Sequence, residues 1–110
     1  MSKDMQRMMK QAQKMAAEMQ RAQEELAEQE IEGSAGGGAV KAVVTGDQRV
    51  VSVEISADVF EGEPDADDLE MLGDTVTAAV NDALDKAKAQ QAEALGPLAG
   101  GMGGLGLPGM

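Results

Sequence analysis

Five basic residues crowd the first 21 positions of a chain that is otherwise strongly acidic. Lys3, Arg7, Lys10, Lys14 and Arg21 are accompanied there by only two acids, Asp4 and Glu18, a local net charge of +3. The remaining 89 residues carry four bases and eighteen acids, a net of −14, so the total of −11 conceals an asymmetry. Lysine and arginine spaced at intervals along one segment can displace the counterions condensed on a nucleic-acid backbone, which gives affinity without sequence information. Other chemistries find little support. Without histidine or cysteine, the chain lacks the commonest general base, thiolate metal sites and disulfides. Ser34, Ser52 and Ser56 have no evident base to activate them. GSAGGGAVK at 33–41 lacks the Gly-Lys-Ser/Thr of a phosphate loop and reads as a hairpin turn. The acids of 58–74 do not fit a calcium loop, having no glycine sixth after Asp58 or Asp65, and read as a solvated loop. We expect no enzymatic activity, no cofactor and no small-molecule substrate.

The bases need an element to align them. Residues 3 to about 30 contain no Gly or Pro and are rich in helix formers. Apolar residues recur at Met5, Met8, Ala12, Met15, Met19, Ala22 and Leu26, a heptad seam with Met5 at position a. In that frame Arg7, Lys14 and Arg21 fall at c, and Lys3 and Lys10 at f. All five bases therefore lie opposite the seam. A solvated coiled-coil face would read the same way, so the pattern alone leaves two functions open. One is a phosphate-tracking surface. The other is a protein–protein adaptor whose Met/Leu seam and tail bind a partner. The helix should be roughly 40 Å long, long enough that part of it projects or pairs with another subunit.

Gly33 ends the helical pattern, and period two takes over. Two strands are predicted at about 39–45 and 49–56, with a weaker one near 30–35, forming an antiparallel meander with turns at Gly36-Gly37-Gly38 and Gly46-Asp47. Asp67 with Glu70 three residues on reads as a capping box opening a second long helix, about 67–95. Gly96-Pro97 should stop it. Residues 1–95 thus form one domain of α+β class: a long N-terminal helix, a three-stranded antiparallel sheet and a long C-terminal helix. Residues 96–110, GPLAGGMGGLGLPGM, read as a flexible Gly-rich tail with scattered Leu and Met, a weak hydrophobic docking strip at most.

The only aromatic is Phe60, and a core of Ala, Val, Met and Leu is thin. The sheet's second face would present Val43 and Val50, and the seam needs a partner. A two-fold homodimer would meet both needs. No apolar run suits a signal peptide or a membrane span, so a cytoplasmic protein with no membrane partner is expected.

MMKQAQKM at 8–15, EIEGSAGGGAVKAVVTG at 30–46, VVSVEIS at 50–56, AAVNDALDKA at 78–87 and the closing LGLPGM occur in an order that resembles the YbaB/EbfC family of bacterial nucleoid-associated proteins. The resemblance covers nearly the whole chain. It implies an α–β–α subunit, a homodimer whose helices project like tweezers, and location on the nucleoid. It also implies binding to duplex DNA, and it turns the basic stripe into a candidate DNA surface. The second helix has Asp85 before Lys86 and Lys88, where relatives are often more basic. No aromatic cluster is available to stack on unpaired bases, and no zinc-finger, basic-zipper or helix-turn-helix pattern is present. Duplex binding with weak sequence preference is the expectation.

Overall fold

A computed structural model describes residues 2–103, with side-chain surroundings through residue 97. Helix α1 spans Lys3–Glu28, strands β1, β2 and β3 span Glu30–Ala35, Val40–Thr45 and Val50–Ile55, and helix α2 spans Ala66–Gly103. The molecule measures 75 × 31 × 18 Å. The predicted α-β-β-β-α order is the observed one.

α1 starts where Ser2 caps it, its hydroxyl accepting from the Met5 N–H at 3.2 Å. It ends at Glu28, earlier than the sequence pattern suggested. Gly33 does not stop it but lies inside β1, for a packing reason. A Cβ built on Gly33 would lie 2.3 Å from the backbone nitrogen of Ala83 in α2. Helix and strand can touch backbone to backbone only because residue 33 has no side chain.

The sheet is antiparallel in the order β1-β2-β3. The β1–β2 turn uses Gly36, Gly37 and Gly38, all with positive φ, a conformation costly for any other residue. α2 lies across β1 and β2. Its Ala79, Ala83 and Ala87 are fully buried against Ile31, Val40, Ala42 and Val44. These alanines recur every four residues, so they form one stripe of small side chains on the helix. Small side chains bring the helix close to the sheet, and that close approach substitutes for the bulky core the composition lacks.

β2 and β3 pair directly from Val40↔Ile55 to Val43↔Ser52, then the register shifts so that Val44 faces Val50. Val51 is the extra residue of a β-bulge. Alternation without the bulge places Val50 on the outer face with Val43. The bulge instead returns Val50 to the helix-facing side, beside Val53 and Ile55. That side of β3 is left uncovered by α2: Val50, Val53 and Ile55 are 52%, 38% and 46% exposed.

α2 also begins and ends differently from expectation. Its N-cap is Asp65, not Asp67. The Asp68 N–H donates to the Asp65 carboxylate at 2.8 Å, and the Asp65 N–H donates to the Asp68 carboxylate at 3.0 Å. This is a reciprocal capping box built from two aspartates. The helix runs through Gly96 and includes Pro97. Proline deprives the Glu93 carbonyl of its intrahelical partner, and glycines at 96, 100, 101 and 103 are poor helix formers, yet the helix continues to Gly103. The expected tail is therefore helical over 96–103, and its remainder, 104–110, lies outside the described residues.

Candidate nucleic-acid interface

The stripe sits on the part of α1 that no other element covers. Every residue from Ser2 to Lys14 is exposed. Further along, Met15, Glu18, Met19 and Ala22 become half-buried, and Leu26 is fully buried at 1%. The heptad seam thus divides. Its C-terminal half packs α1 onto the body, where the Leu26 carbonyl accepts from the Gly46 N–H at 2.9 Å. Its N-terminal half, with Met5 at 56% and Met8 at 69%, is open.

Lys3, Arg7, Lys10, Lys14 and Arg21 are all exposed. At about 100° per residue their directions fall within an arc of roughly 60°, on the side of α1 away from the Met seam. Among the described residues the ion pairs are Lys41–Glu32 and Lys86–Asp82. None of the five stripe bases takes part in either. Among the described residues none of these charges has an ion-pair partner to displace before meeting a polyanion.

The two lysines of α2 behave differently from one another. Lys86 contacts Asp82 at 3.2 Å and the Glu32 carbonyl at 3.5 Å. Asp82 in turn accepts from the Ser34 N–H at 3.0 Å. That backbone hydrogen bond, then the one from Lys86, hold the Asp82 carboxyl below the ordinary carboxylate range. Glu32 and Ser34 belong to the outer edge of β1, so this pair occupies groups that would otherwise be open for strand pairing. Lys86 is structural, whereas Lys88 is exposed and outside both ion pairs. Sequence reasoning missed the edge role. The i, i+4 spacing of Asp82 and Lys86 was its only trace.

The acids of 58–74 stay at the other end of the sheet, around the capping box and the Gly36 turn. Among the described residues no three acidic side chains converge to hold a metal ion. No helix there is long and apolar enough to cross a membrane.

Comparison with known proteins gives this arrangement its context. The model of the YbaB/EbfC DNA-binding family matches residues 1–102. The chain belongs to that family. Its relatives include a nucleoid-associated protein of Streptomyces avermitilis, 50% identical over 108 residues, covering 97% of this chain and 91% of the relative. Another nucleoid-associated protein, from Rhodococcus opacus, is 48% identical with the same coverage. The crystal structure of an uncharacterized protein from Helicobacter pylori has the same fold, with a TM-score of 0.70 at 20% identity over 96% of this chain and 99% of that one.

Proposed function

We propose that this protein is a homodimeric, nucleoid-associated protein that binds duplex DNA with low sequence specificity through the stripe Lys3, Arg7, Lys10, Lys14 and Arg21, in an architectural or regulatory role. The observation that carries the reading is the stripe itself: five exposed bases, outside the ion pairs found, on a projecting helix of a chain that is otherwise acidic. Family membership supports DNA as the partner. Lysine and arginine on one helix face suit phosphates, which position a protein without reading bases.

The dimer is supported by the uncovered side of β3. Asp82 and Lys86 reach the β1 edge. Val80 and Leu84 lie roughly 160° round α2 from them, on the flank toward β3, and are half-buried. With Val50, Val53 and Ile55 they form a continuous apolar surface beside an open strand edge. A second copy placed against it would bury that surface and leave both basic helices projecting.

Charge reversal tests the DNA surface. Lys10→Glu with Lys14→Glu, on the face opposite the packed seam, should abolish binding in fluorescence anisotropy with a labelled duplex while circular dichroism stays unchanged. Undiminished affinity at low salt would remove the stripe from the account.

A further inference from the structure

Two open apolar surfaces lie toward opposite ends of the molecule. One is the free half of the seam, made by Met5, Met8, Met9 and Ala12 on the projecting part of α1. The other is a cavity of about 310 Å³ between the Gly36 turn, the loop before α2 and the first turns of α2. Phe60, Met71 and Leu72 form its apolar wall, and Asp58 and Asp68 stand beside them. We infer that the cavity takes the α1 seam of a second copy of this chain, in a head-to-tail contact.

The two surfaces match in character. Met8 and Met71 are each 69% exposed, and exposed apolar groups that lie together mark interaction surfaces. Phe60, the only aromatic of the chain, lines this cavity rather than joining the core under α2. An aromatic at the centre of a contact is a strong anchor. Unbranched methionines on the other side adapt to an irregular wall.

Charge selects the arm as the occupant. Residues 58–74 hold eight acids and no base, whereas the first 21 residues carry a net charge of +3. All of these acids except Asp68 are exposed. Complementary charge of this kind steers encounter and orients the partner. The bases lie across α1 from the seam, about 10 Å from whatever the seam touches, close to one Debye length at moderate salt. The acids therefore attract the arm without occupying its bases, and the stripe stays open on the outer face.

One chain cannot make this contact with itself. Gln29, at the base of α1, lies level with Gln90 of α2. From that level Ala12 is roughly 25 Å away along α1, and Met71 roughly 28 Å away along α2 in the opposite direction. The arm of one molecule and the cavity of another can meet. Because the two surfaces differ, the contact is heterologous and leaves a free arm and a free cavity for the next molecule.

Sedimentation velocity over a concentration series, without DNA, tests this. The wild type should keep growing in size with concentration, past any fixed oligomer, and high salt should weaken the growth. Met8→Asp on the arm and Met71→Lys at the cavity both alter exposed side chains, so circular dichroism should not change. Each should weaken the association about tenfold or more. Mixing the two variants should restore it, because each supplies the surface that the other lacks. A wild type that stops at one fixed size would overturn the inference. So would either variant associating like the wild type, or a loss in both that mixing does not restore. With DNA absent and growth read beyond any fixed oligomer, the outcome is independent of the proposed function.

Discussion

Asp82 shows how much one side chain contributes when the core is small. Its carboxylate ties Ser34 of β1 to Lys86 of α2, and its folded pKa is lowered first by the Ser34 backbone hydrogen bond and then by that from Lys86. A carboxylate with a depressed folded pKa adds stability that is present above its unfolded pKa. That stability is lost as the pH falls through the folded value. The stability difference between wild type and Asp82→Asn should therefore be largest at neutral pH and shrink below the ordinary Asp value of 3.8. Urea titrations over a pH series check this, and a difference that does not vary with pH would contradict it. Gly33 makes the second residue-scale prediction. Gly33→Ala would place a methyl group inside the Ala83 backbone and should destabilise the fold by about 2–3 kcal/mol, measurable by the same titration.

At the scale of elements, β3 decides what the protomer becomes. Its Val50, Val53 and Ile55 would complete a core if another layer lay over them. Val53→Asp places a charge in that surface, so the proposed dimer should give way to a monomer in sedimentation velocity, with helicity retained. A dimer that survives the substitution would place the interface elsewhere. The elements themselves were legible in the sequence, because heptad spacing over Met5–Leu26 and alternation over 40–55 each reflect one buried face. Less legible were features set by contacts between elements. The bulge at Val51 shifts the side on which Val50 lies, and no local composition announces it. Gly33 has the look of a helix stop, yet its role is set by Ala83, fifty positions away. Two aspartates can cap a helix as readily as the Asp67–Glu70 spacing, and only the backbone hydrogen bonds distinguish them. The exposed stripe was legible because amphipathic spacing fixes a helix face. The commitment of Lys86 to β1 was not, since it depends on where α2 crosses the sheet.

The whole molecule is a rod 75 Å long with its positive charge gathered near one end and its acids concentrated toward the other. That separation is what makes a chain of net charge −11 compatible with a polyanionic partner. Over a Debye length of about 8 Å at physiological salt, the acidic body is screened from a surface held well beyond it. Two such rods joined at β3 would offer two stripes, and each could engage a duplex with little regard to sequence. On the proposed function, binding arises from phosphate neutralisation by the α1 stripe. Duplex affinity across a salt series, measured for the wild type and the Lys10→Glu, Lys14→Glu double variant together, distinguishes this from other modes of binding. Log affinity should fall with log salt at a slope of about −4 to −5 for each engaged stripe, similarly for unrelated duplex sequences, and binding by the variant should be lost. A shallow slope, or a variant that binds like the wild type, would contradict it.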